Sequence, residues 1–102
     1  MSQAPAFDEL IHAPTRLSIV ALLAASQWAE FTFVRDSLGM SDSALSKQVS
    51  ILEGAGYVTV RKTGAGRTRR THLQLSLRGR RAFDGHAAAL QQIIADATAP
   101  AS

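Results

Sequence analysis

From Thr15 to Ala25 nearly every position is apolar apart from Arg16 and Ser18, the pattern of a helix surrounded by other elements. Pro14 disfavours helix at Ala13 and suits the first turn of the new one. Ahead of it, Phe7, Leu10 and Ile11 have helical spacing and predict a short leading helix. Residues 1–6 show no pattern, so a flexible N-terminus is expected there. Further on, Thr32 is expected to cap a short helix in which Val34 and Leu38 share a face, with Gly39 ending it in the left-handed conformation. Ser41 then caps another helix, and Asp42 sits in its first turn at the positive end of the dipole. Two helices joined by about three residues including a glycine form a helix-turn-helix pattern.

Within that last helix, Leu45, Val49 and Leu52 recur on one side and face a core, while Ser43, Ser46, Lys47 and Ser50 recur on the other. An ordinary solvent face mixes glutamate with lysine in salt-bridging pairs. Here the outer stripe is short, polar and nearly free of acids. Small hydroxyls and one lysine let a helix approach a phosphate-lined groove and donate to base edges or backbone oxygens. Ser41 combines capping with a position from which it could touch phosphate. Gln48 lies at the edge of the buried sector, where packing and base contact are equally open to it.

Gly54 and Gly56 end this helix. Tyr57 to Lys62 alternates as a strand does, Thr63-Gly64-Ala65-Gly66 is a turn, and Thr71 to Leu75 alternates again. The result is a two-stranded hairpin whose tip and return arm carry Arg67, Thr68, Arg69 and Arg70. Ser76 caps a last helix over 77–97, in which Phe83, Ala87, Leu90, Ile94 and Ala97 form a seam close to a heptad repeat. Leu90, Ile93 and Ile94 reach beyond what so small a body can cover, and exposing them is costly. That predicts a homodimer, with Phe7, Leu10 and Ile11 joining the contact.

Charge sharpens this picture. The net +3 is very unevenly distributed: residues 61–81 contain eight of the 11 basic side chains and no acid. A block of this kind attracts polyanions, which the net value alone would not suggest. Three of these cations, Arg78, Arg80 and Arg81, fall in a capped first turn, where they oppose the helix dipole and need a compensating partner. The 102 residues suit one domain, and the absence of cysteine excludes disulfides, thiolate metal sites and a cysteine nucleophile. With no apolar run long enough for a membrane span and no signal-peptide pattern, a cytoplasmic protein is expected.

In this order, Pro14-Thr15-Arg16-Leu17, Phe31-Thr32-Phe33, Leu45-Ser46, Leu52-Glu53-Gly54-Ala55-Gly56-Tyr57-Val58, the wing and Leu75-Ser76-Leu77-Arg78-Gly79-Arg80 resemble the short, single-domain branch of the MarR and ArsR superfamily of transcriptional regulators. The resemblance runs from about Phe7 to Ile94. It implies an α+β, mainly α, winged helix-turn-helix over 7–97 with terminal dimerisation helices and a flexible tail over 98–102. It implies double-stranded DNA as partner, read by the helix bearing Ser41, Ser43, Ser46, Lys47, Gln48 and Ser50 and gripped by the wing. It also implies a homodimeric repressor on a palindromic operator. The chain departs from metal-sensing relatives in having only His12, His72 and His86 as nitrogen ligands, so no metal or cofactor is expected. A small-molecule effector would have to lie at the dimer interface.

Three other readings fare worse. No catalytic Ser/His/Asp set, phosphate-binding glycine loop or metal-ligand spacing supports an enzyme. A winged helix used only for protein contact is the main alternative, and an arginine-tipped wing argues against it. Single-strand RNA binding lacks an aromatic platform, since Trp28, Phe31 and Phe33 are expected in the core.

Overall fold

The computed structural model describes residues 4–99. Its helices are α1 (Glu9–His12), α2 (Pro14–Ala24), α3 (Phe31–Leu38), α4 (Asp42–Gly54) and α5 (Leu77–Thr98). The strands are β1 (Ala29–Glu30), β2 (Val58–Thr63) and β3 (Arg70–Leu75), with a 3-10 turn at Gly66–Thr68 between the last two. Residues 1–3 of the expected N-terminal arm and 100–102 of the tail lie outside the described residues. The segment leading into α1 lies against α5, where Ala6 N–H donates to Gly85 O at 2.9 Å.

Sequence features anticipated most of these boundaries. Pro14 opens α2, Ser41 Oγ accepts from Ala44 N–H to cap α4, and Ser76 Oγ accepts from Gly79 N–H to cap α5. Gly39, at φ +63°, ends α3 in the left-handed region that glycine enters at least cost. Thr32 does not cap α3, because the helix starts one residue earlier. Glu30 precedes it with extended backbone and makes no side-chain cap. The Glu30 carboxylate lies instead 3.8 Å from Arg70 and 3.9 Å from His72.

The sheet has three antiparallel strands in the order β1-β3-β2, one more than the hairpin alone. Val58 pairs with Leu75 and Thr63 with Arg70, while Ala29 pairs with Leu73 on the other side. A strand of two residues carries no readable alternation, so β1 is invisible to periodicity. Beneath the sheet, Ile19, Val20, Leu23, Val34, Leu45, Leu52 and Leu73 are fully or almost fully buried. This core fixes the α3–α4 pair against the hairpin.

Two expectations about apolar residues are corrected. Ile11 is fully buried within the single chain, so it has no area left to offer a partner and belongs to the monomer core. Phe33 is 53% exposed on α3 rather than in the core, whereas Phe31 packs against the core cluster. Two of the three cations of the α5 first turn, Arg80 and Arg78, find partners. Arg80 Nη1 donates to Ala24 O at 3.2 Å, at the negative end of α2, and the Arg78 guanidinium lies 6.0 Å from the Tyr57 ring.

Gly79 is the tightest point of this packing. A Cβ there would run into the Tyr57 carbonyl oxygen and lie 2.8 Å from Leu75 Cδ1. Alanine at an open helical site gains roughly 1 kcal/mol over glycine. Overpacking outweighs that, and Gly79→Ala is expected to lose about 2 kcal/mol of stability. Thermal denaturation measures it, and an unchanged or raised Tm would show that the contact yields freely.

Candidate nucleic-acid interface

The α4 surface opposite the core is formed by Ser43, Ser46, Lys47 and Ser50, all exposed. Ser41, at the helix entry, is also exposed, and its Oγ lies 3.3 Å from Ser43 Oγ. Asp42 is the one acid in the first turn, and it is not free. Arg35 on α3 donates to it at 2.8 Å while also donating to Asp36 at 2.9 Å. These bonds to Asp36 and Asp42 raise the arginine pKa still further above its ordinary value. Arg35 thus ties the two helices of the motif across their turn and offsets the carboxylates of Asp36 and Asp42. Sequence reasoning did not single it out, although its position one residue before Asp36 and seven before Asp42 was visible.

Gln48 is half-buried and sits between helices. Its Oε1 accepts from Arg16 Nη1 at 3.0 Å, and Arg16 Nε donates to Leu10 O at 2.7 Å. Packing against α2 therefore occupies the oxygen of this side chain.

At the hairpin tip, Arg67, Thr68, Arg69 and Arg70 are all exposed. Thr68 closes the turn on itself, its Oγ1 donating to Ala65 O at 2.8 Å and accepting from Ala65 N–H at 3.3 Å. Arg67 and Arg69 project without a carboxylate partner among the described residues, while Arg70 stands 3.8 Å from Glu30. On β2, Arg61 lies over the Trp28 ring at 4.5 Å. An open cleft of about 400 Å³ separates the hairpin from α4, lined on its rim by Ser46, Ser50, Glu53, Lys62 and Thr71. The cleft thus sets Ser46 and Ser50 of α4, with Asp42 and Glu53 beside them, opposite Lys62 and Thr71 of the hairpin, while the tip arginines lie outside it.

Residues 15–94 match a family model described as a winged helix DNA-binding domain. The chain belongs to this family. It is also 26% identical over 78 residues to an uncharacterized protein of Methanocaldococcus jannaschii, spanning 76% of this chain and 85% of that relative. Among solved structures, a transcriptional regulator homologue from Pyrococcus horikoshii superposes with a TM-score of 0.84 at 23% identity, covering 89% of this chain and 90% of that one. A Mycobacterium tuberculosis transcriptional regulator solved in complex with DNA gives a TM-score of 0.67 at 19% identity. That likeness covers 86% of this chain and 62% of the other. Likeness at such identities carries the fold, and the family model carries the DNA-binding class. This chain carries a winged helix DNA-binding domain.

Far from the groove, the apolar seam of α5 divides into two parts. Phe83 packs against the core cluster, and Ala87 and Leu90 are half-buried. Ile93 and Ile94 are 54% and 62% exposed, and Ala97 is exposed beside them. At the other terminus Phe7 is 43% exposed and Leu10 half-buried. The 22-residue α5 is about 33 Å long at 1.5 Å per residue. Among the described residues no helix is long and apolar enough to cross a membrane, and no group of three or more His, Cys, Asp or Glu is placed to hold a metal.

Proposed function

We propose that this winged helix represses transcription by binding a palindromic operator as a homodimer, with α4 in the major groove and the wing against the phosphate backbone. The observation that carries this reading is the exposed Ser43, Ser46, Lys47 and Ser50 face of α4, opposite its core side, on a helix packed against β2 of a hairpin whose tip arginines are also exposed. Ser43, Ser46, Lys47 and Ser50 are then the groove contacts. Arg67, Arg69 and Arg70 bind phosphates, and Thr68 shapes the turn that presents them. Phe7, Leu10, Leu90, Ile93, Ile94 and Ala97 supply the dimer contact, with Phe83 and Ala87 supporting it from the body. Two reading heads related by a twofold axis would lie about 34 Å apart, one turn of the duplex.

Selection of bound sequences from a random duplex pool tests this directly. An inverted repeat with half-sites one helical turn apart is expected, and an unenriched pool would sink the reading. Lys47→Ala and Ser46→Ala are expected to relax the preference at one base pair of each half-site. A good base contact is worth roughly 1–3 kcal/mol of discrimination, so the relaxation should be about tenfold. Equal weakening on every sequence would instead make these residues phosphate contacts.

A further inference from the structure

His86 is the one fully buried polar side chain among the described residues, and the DNA-reading surface makes no use of it. Its Nδ1 accepts the Asp8 backbone N–H at 3.0 Å, and its Nε2 lies 3.2 Å from His12 Nδ1. A neutral imidazole carries one N–H. With Nδ1 accepting, the His86 proton must sit on Nε2 and be donated to His12, whose own proton then sits on Nε2. A second proton on either ring sets two donors face to face. If it enters His12 Nδ1, it opposes the His86 Nε2 proton. If His86 switches tautomer to accommodate it, Nδ1–H opposes the Asp8 N–H. The hydrogen-bonded pair is complete only when neutral.

The surroundings offer no easy compensation. Asp8 and Glu9 are the acids on this side and favour a proton. The Asp8 carboxylate is already engaged, with Oδ2 accepting from the Tyr57 hydroxyl at 2.6 Å and Oδ1 from Ile11 N–H at 3.0 Å. Beyond Tyr57 stands Arg78, and Arg16 of α2 approaches α1 only at its Leu10 carbonyl. The Phe7 ring lies 4.7 Å from each imidazole, with Phe7 and His12 exposed and His86 buried beneath them. Burial and the neighbouring His12 push the His86 pKa below its ordinary value, and the two acids only partly oppose this.

We propose that the His12–His86 pair is a proton-sensitive latch: uptake of a proton releases α1 from α5 and weakens DNA binding. The first half follows from the donor conflict. The second rests on the operator-binding homodimer proposed above, because Phe7 and α5 belong to the dimer contact in that reading. It also rests on a physical link, since Arg16 bonds both the last turn of α1 and Gln48 of the recognition helix. A docked state that holds fewer protons is favoured as pH rises and loses that advantage as pH falls below about 6.5. Each linked proton contributes at most about tenfold in affinity per pH unit.

The test uses the full chain. Histidine Cε1 resonances and amide exchange of residues 8–12 are followed by NMR from about pH 7.5 to about pH 5.5, the range in which histidines titrate. Fluorescence anisotropy with a duplex from the selected pool is measured over the same range. The latch predicts that His86 titrates below ordinary histidines, that the hydrogen-bonded amides 8, 11 and 12 lose protection in step with it, and that affinity falls toward acid. His86→Asn keeps an acceptor for the Asp8 N–H and has no proton to gain, so it should abolish the acid-dependent loss of affinity. If that variant fails to fold, the wild-type NMR titration decides alone. An ordinary His86 titration, or one that leaves amides 8, 11 and 12 protected, overturns the latch. Affinity that holds or rises while α1 undocks overturns its coupling to DNA. A protein that binds no duplex at any pH overturns the operator reading instead, and the NMR result still stands.

Discussion

Replacing Arg69 and Arg70 together with alanine is expected to weaken binding to every duplex, specific or not, and to flatten the dependence of affinity on salt. Four arginine contacts with phosphate are lost per dimer, each releasing about 0.9 of a condensed counterion in the wild type. If the dimer engages about eight phosphates, its log–log slope should be near −7, falling to about −3.5 in the double variant. Near physiological salt the loss should approach three orders of magnitude in affinity. Sequence preference should survive, because these residues contact backbone rather than base edges. The side chains are exposed at the hairpin tip, so folding should be unaffected and circular dichroism should match the wild type. Anisotropy titrations at several salt concentrations read the slope. A double variant with wild-type slope and affinity would remove the wing from the interface. Of the pair, Arg69 should matter more, since Arg70 stands 3.8 Å from Glu30 and part of its charge is already answered.

The parts of this surface that could be read from the sequence follow local rules. A strand alternates, a cap precedes a helix, and an apolar stripe recurs with the helical period. α4, its serine cap, the hairpin and the arginine block all have such patterns. What escaped is long-range or too short to repeat. β1 has two residues. The bonds from Arg80 to the end of α2 and from Arg16 to Gln48 join positions 56 and 32 residues apart, and no local pattern encodes them. The cations of the α5 first turn looked misplaced against their own helix dipole, yet the tertiary fold delivers Arg80 to the opposite pole of α2. Ile11 reads as surface apolar in a short helix and is buried because α1 folds back between α2 and α5. His86 shows the same limit, since its burial depends on the Asp8 backbone 78 residues away.

These long-range links also decide which residues can test dimerisation cleanly. Leu90 leans on the body, and Phe83 and Ile11 help build it, so changes there would confound folding with association. Ile93 and Ile94 are the useful pair, being largely exposed near the end of α5. Ile93→Glu with Ile94→Glu is expected to leave the monomer folded and abolish the dimer. Fully burying such a side chain in a partner is worth roughly 1.5–3 kcal/mol, and two per protomer place four of them across a twofold contact. The cost of burying four unpaired carboxylates comes on top. Sedimentation or light scattering should report a monomer, with circular dichroism and Tm close to wild type. The consequence for DNA is larger than for stability. A dimer engages two half-sites in one event, whereas a monomer must hold each half-site separately with about half the phosphate contacts. Operator affinity should therefore fall by several orders of magnitude, and the salt slope should halve to about −3.5. A glutamate pair that remains dimeric would place the contact elsewhere. A true monomer with wild-type operator affinity would show that a single α4 and wing suffice.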